Sequence, residues 1–172
     1  MEHGVDFLKS QVNNAIMQHR TFVQSLQDHE SQATDPRFRD LCGRFIIRAQ
    51  EHQRMLEDYQ RTLGASEGVV KKVAGVALGV ARDLADVVRE DDFLRLIGDI
   101  VMARQAEDTF KTFREAGRQL GLTELAHIGE IGERHHDEYV KDANRLALQM
   151  FVENVRGAET AIRASEQARS GI

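Results

Sequence analysis

Tryptophan is absent from these 172 residues, proline and cysteine occur once each, and aromatic residues make up only 6%. Each shortage excludes something. A single proline, Pro36, leaves long stretches in which every residue keeps its backbone donor, and with plentiful alanine, leucine, glutamate, glutamine and arginine this favours long helices over sheets. A single cysteine, Cys42, can form neither an internal disulfide nor a Cys-x-x-Cys zinc pair, so a reducing compartment fits. No basic block stands out from the mixed charges, and the net charge of −5 argues against a nucleic-acid partner. No apolar run approaches the ~20 residues needed to span a bilayer. The opening Met1-Glu2-His3-Gly4-Val5-Asp6 is too polar and acidic for a signal peptide. A cytoplasmic protein with no membrane partner is expected. A glycine-rich phosphate loop and a nucleophile elbow are also missing.

What is present is helical rhythm. Val5, Leu8, Val12, Ala15, Ile16, Phe22, Val23 and Leu26 form one apolar stripe with His19 near its centre. Thr34 or Asp35, followed by Pro36, marks a new helix start. The second stripe carries Phe38, Leu41, Cys42, Phe45, Ala49, Leu56, Tyr59 and Leu63, includes His52, and stops at Gly64. From Ser66 to Val88 a narrower pattern of Val69, Val73, Val76, Val80, Leu84 and Val87 predicts a short extra helix packed on the others. Asp91 or Asp92 caps the next helix, whose inward residues are Phe93, Leu96, Ile97, Ile100, Ala103, Phe110 and Phe113, with Glu107 on the same face. Gly121 ends it and Thr123 begins the last long helix, with Leu125, Ile128, Val140, Ala143, Leu146, Ala147 and Met150 inward. Beyond Met150 the pattern fades into a tail. One domain is expected over residues 1–172: a bundle of four long helices over about 5–150 and a helical tail over 151–172. A tight turn, a long connection and a second tight turn are what a bundle with one crossover requires.

The polar exceptions inside the stripes carry the chemistry. His19 and His52 lie about 16 and 17 residues from the first turn, ~24 Å at 1.5 Å per residue, while Glu107 and His136 lie ~22 Å from the opposite end. In a bundle ~40–45 Å tall, all four groups meet near mid-height. Glu133 stands three residues before His136, on the next turn of the same helix. Imidazoles and carboxylates gathered in a bundle core suit iron, manganese or zinc. The competing reading is a metal-free layer of hydrogen-bonded His and Glu that fixes helix register. As a metal site the ligands are His19, His52, Glu107, Glu133 and His136, with Glu51 and His135 as alternates and Glu130 or Glu138 as outer partners. His3, His29 and His127, near helix ends, are read as solvent-facing, and Cys42 as a small buried side chain.

Certain stretches also resemble the ferritin-like superfamily. These are Ala33-Thr34-Asp35-Pro36, Ala49 to Leu56 ahead of Leu63-Gly64, Ala103-Arg104-Gln105-Ala106-Glu107-Asp108, and Gly132-Glu133-Arg134-His135-His136. Over residues 5–150 the chain is most like the small bacterial, stress-associated ferritin-like proteins of largely unknown function. In metal-binding members the first and third helices each supply a glutamate, and the second and fourth each supply Glu-x-x-His. Here Glu107 matches the third-helix glutamate, and Glu133 with His136 matches the fourth-helix motif. The first half departs from the pattern: His19 stands where the first glutamate is expected, and Glu51 is followed three residues later by Arg54. The resemblance therefore implies an atypical transition-metal site, for iron or another metal, in a protein with a stress or metal-handling role. It also implies a homo-oligomer, a dimer in the simplest case. The alternative is a metal-free bundle acting as a structural or protein-interaction module.

Overall fold

The computed structural model describes residues 2–64 and 91–170. Among them are five helices and no strand: α1 (Glu2–Gln32), α2 (Pro36–Thr62), α3 (Asp92–Leu120), α4 (Thr123–Val155) and α5 (Glu159–Ser170). The all-α expectation holds. The extra helix expected at 66–88 lies outside the described residues. None of these helices is long and apolar enough to cross a membrane.

Local chemistry sets the helix ends. Asp35 caps α2 by accepting a hydrogen bond from the Arg37 backbone N–H at 2.8 Å, and Pro36 takes the first helical position, where a missing N–H costs nothing. Gly64 and Gly121 sit in the left-handed region at φ 68° and 69°, as helix-terminating glycines do. Asp91 caps α3 through the Phe93 N–H at 2.7 Å, which leaves Asp92 free to turn inward. One Asp92 carboxylate oxygen accepts the Thr34 N–H, the Thr34 hydroxyl and the Asp35 N–H, each at 2.7 Å. Burial pushes the Asp92 carboxyl upward, but these donors and Arg95 outweigh it and hold the group below its usual range.

That latch fixes chain direction. The start of α3 lies against the turn between α1 and α2, so α3 runs antiparallel to α1. At the same end Arg37 meets Glu153 at 2.8 Å, so α4 runs antiparallel to α2. The α3–α4 contact is the most extensive, followed by α1–α2, with α2–α4 and α1–α3 completing the ring. It follows that α2 ends at the far end of the molecule from where α3 begins. The two ends joined by residues 65–90 are separated by about 40 Å, the height of α2 at 1.5 Å per residue. A crossover is thus required by where the helices start and stop.

The core divides in two. One cluster gathers Phe22, Leu26, Phe38, Phe45, Leu96, Tyr139 and Val140 towards the α1–α2 turn. The other gathers Val12, Ile16, Leu56, Phe110, Phe113, Leu125 and Ile128 towards the α3–α4 turn. Each large apolar side chain so buried stabilises the fold by about 1.5–3 kcal/mol. Between the clusters lies a layer of polar side chains. Val5 and Ile97, read as inward from the pattern, are 48% and 38% exposed; each lies at the margin of its stripe or beyond the end of the core. Past Gly157, at φ 95°, the tail turns into α5, whose described side chains are all exposed.

Candidate metal centre

The layer between the clusters is built by three histidines from three helices. His19 of α1, His52 of α2 and His136 of α4 are 2%, 1% and 0% exposed, and one ring nitrogen from each lies within 4.8 Å of the others. Their ring centroids stand 5.2–5.7 Å apart. Among the described residues they form the one group of three or more metal-ligating side chains close enough to share an ion. All three interrupt an apolar stripe at the same height, which is why the helices bring them together.

Each ring is held differently. His136 Nδ1 lies 2.7 Å from the Gly132 carbonyl oxygen, one turn earlier on α4. A carbonyl only accepts, so the proton sits on Nδ1 and the Nε2 lone pair is left in the core without a partner. His52 Nε2 pairs at 2.9 Å with Nδ1 of half-buried His135, and whichever ring donates, His52 Nδ1 has no partner. Neither nitrogen of His19 has one; the Gln53 side chain reaches towards it without a well-formed hydrogen bond. Leaving such atoms unpaired in a core costs about 1–3 kcal/mol each. A layer that carries four of them needs a reason.

Electrostatics keep the group neutral. Burial lowers His19 to about 4. Burial, and after it His136, His19 and His135, lowers His52 to about 2. His136 is lowered to about 3 by burial and then by His19, against the opposing Gly132 hydrogen bond. Neutral imidazoles with free lone pairs are the ligand form of histidine.

No ligand reaches this height from α3, and an aromatic ring takes that place. Phe110 of α3 stands there, with its ring centroid 5.7 Å from His19, 5.6 Å from His52 and 5.1 Å from His136. Gly132 makes room for it, because a Cβ there would overlap the Phe110 ring. Phe22 and Phe45 close the opposite side, with centroids 5.9 and 5.3 Å from His136. A cavity of about 10 Å³, the size of one water, opens beside His19 between Gln18, Thr109 and Phe110.

The carboxylates of the sequence-based ligand set stand apart. Glu107 pairs with Arg104 at 3.0 Å, and Glu133 pairs with Arg114. Both flank the α3–α4 seam, three residues from Phe110 and His136, so each is turned about 60° from the inward direction. An unpaired carboxylate inside the aromatic layer would be costly; each of these is half-buried and paired with an arginine instead. Of the alternates, His135 reaches the layer through His52, while Glu51 is exposed. Glu138 pairs with Arg48 at 2.6 Å and Glu130 with Arg118 at 3.3 Å, both at the surface.

A second interior group escaped the sequence reading. Asp99 of α3 is 0% exposed and accepts hydrogen bonds from Ser25 at 2.9 Å and His29 Nδ1 at 2.8 Å. The buried Tyr139 hydroxyl lies beside the same carboxylate, which burial pushes above its usual range against the pull of His29. His29 is therefore not the solvent-facing side chain expected; Asp99 draws its ring inward. The run Leu96, Asp99, Ala103, Phe110 places Asp99 on the core stripe, and that was its available signal. His127 is exposed and Cys42 is buried, as expected, with burial and the nearby acids raising its thiol pKa. Comparison with family models, with curated proteins and with solved structures finds no match to this chain.

Proposed function

We propose that this protein binds a single transition-metal ion in the His19–His52–His136 layer of a ferritin-like four-helix bundle and serves in metal handling. One observation carries the reading. Three neutral, buried imidazoles converge within 4.8 Å, and each has at least one ring nitrogen without a partner. Buried neutral imidazoles with unpaired nitrogens are the donors a metal ion needs, and the Gly132 bond to His136 is the usual outer support of a metal-binding histidine. The antiparallel pairing of the helices and the required crossover support the ferritin-like layout. The donor set does not fit two ferric ions: no carboxylate stands in the layer to balance their charge. The stress-associated role rests on the sequence resemblance alone.

Elemental analysis of untagged protein tests this. One equivalent of metal per chain is expected, falling below about one-tenth in His19→Ala/His136→Ala, while Glu107→Gln/Glu133→Gln keeps its metal. Equal metal in the histidine double variant would overturn the proposal. A metal-free interaction module is the second reading, favoured by the exposed apolar side chains Leu148 and Phe151 on α4 and Leu94 and Val101 on α3. It predicts no stoichiometric metal in the wild-type chain after reconstitution.

A further inference from the structure

We infer that the ion this layer selects is monovalent copper, copper(I), held in a trigonal site by the three imidazoles; this rests on the metal-site reading above. The first argument is charge. Every donor at this height is neutral, and the acids read from the sequence as ligands or outer partners on these helices pair with arginines: Glu107 with Arg104, Glu133 with Arg114, Glu138 with Arg48. The loaded site would carry the full charge of its ion among Phe22, Phe45 and Phe110, with the three histidines at most 2% exposed. The penalty for removing an ion from water grows as the square of its charge, so a divalent ion suffers about four times that of a monovalent one. Nothing in the layer compensates the difference.

Coordination number is the second argument. Zinc takes four ligands, and iron or manganese more. This layer offers three, and in the direction of α3 the Phe110 ring stands nearly equidistant from all three histidines. An aromatic ring cannot complete a tetrahedron, though it attracts a nearby cation. The cavity beside His19 holds about one water, too little for an octahedral ion's missing ligands; a water there would complete zinc's tetrahedron, so against zinc the charge argument decides. Copper(I) is content with three nitrogens. A trigonal ion with bonds of about 2.0 Å needs nitrogens about 3.5 Å apart, so the rings must close by little more than 1 Å from their outer limit.

The experiment is a competition titration of the apoprotein. Copper(I) is supplied from its bicinchoninate complex without oxygen and with ascorbate present, and zinc(II) from a chromophoric zinc indicator. One copper(I) per chain is expected, bound at least about 100-fold more tightly than zinc(II). X-ray absorption of the copper-loaded wild type should show three nitrogen neighbours, a readout that needs no variant. Zinc(II) bound as tightly as copper(I), or a fourth protein or solvent donor on copper, would overturn the inference and leave the metal site standing. If neither ion binds, this inference fails, and the metal-site reading fails with it when elemental analysis finds no other transition metal in the protein. His136→Gln, checked for folding by circular dichroism, should lose copper(I); full copper binding in that folded variant also overturns the inference.

Discussion

His19 shows what the layer asks of a single residue. It is 2% exposed, both ring nitrogens lack a partner, and it stands edge-on to Phe22, His52, Phe110 and His136. An unfolded chain takes up a proton on this imidazole as the pH falls through 6.5, whereas burial makes the folded core resist until about pH 4. The folded pKa is depressed, so for a histidine the neutral form is what folding favours. Stability is complete above about pH 7 and is lost as the pH falls towards 4, at up to about 1.4 kcal/mol per pH unit for each such histidine. His52 and His136, lowered to about 2 and 3, add to the same loss and extend it to lower pH. Urea denaturation of the metal-free protein between pH 7 and 4.5 should show this slope. In His19→Phe the slope should fall by up to about 1.4 kcal/mol per pH unit, whatever the change in stability at pH 7. An unchanged slope would mean that His19 protonates freely in the folded protein.

Between elements, the closest approach is that of α3 and α4, and glycines allow it. A Cβ at Gly129 would overlap the backbone of Phe110 and Arg114, one at Gly117 would overlap Ala126, and one at Gly132 would overlap the Phe110 ring. Backbone cannot swing aside as a flexible side chain can, so Gly129→Ala must push the helices apart. That overpacking should cost about 1–3 kcal/mol or more in chemical denaturation, with helical content retained. Shifting Phe110 should also weaken metal binding, which Gly98→Ala, where a Cβ meets open space, leaves unchanged. These facts bear on what the sequence could reveal. Stripe spacing is enough to find the long helices and the height at which His19, His52 and His136 meet, because those follow from rise and turn per residue, while residue type narrows two caps to Thr34 or Asp35 and Asp91 or Asp92. Glu107 was read as inward by the same counting. The counting misled because α3 presses so closely on α4 that Phe110 fills the layer over Gly132, and the neighbouring carboxylate is turned to Arg104. Interhelical distance is not written in one helix's periodicity. Nor is the pairing of Asp99 with His29 and Ser25, which depends on which faces of α1 and α3 meet.

At the scale of the whole molecule, the order of helix ends is the feature with consequences. The Asp92 latch holds the start of α3 at the α1–α2 turn, while α2 finishes at the other end. Any chain that replaces residues 65–90 must therefore cover about 40 Å, the length of α2's 27 residues at 1.5 Å each. A fully extended chain advances at most about 3.3–3.6 Å per residue, so about 12 residues is the shortest bridge that geometry permits. A flexible polar linker of about 25 residues should preserve the arrangement, since loop-closure entropy rises only slowly with length. A five-residue linker reaches about 18 Å and cannot join the two ends within one chain. With it the hairpins α1–α2 and α3–α4 can complete the histidine layer only by exchange between two chains. Size-exclusion chromatography with light scattering reads the outcome. The long-linker variant should retain the wild-type mass and its metal. The short-linker variant should double that mass or fail to fold. A short-linker protein that keeps the wild-type mass, helicity and metal would show that α3 begins beside the end of α2, contrary to the latch at Asp92.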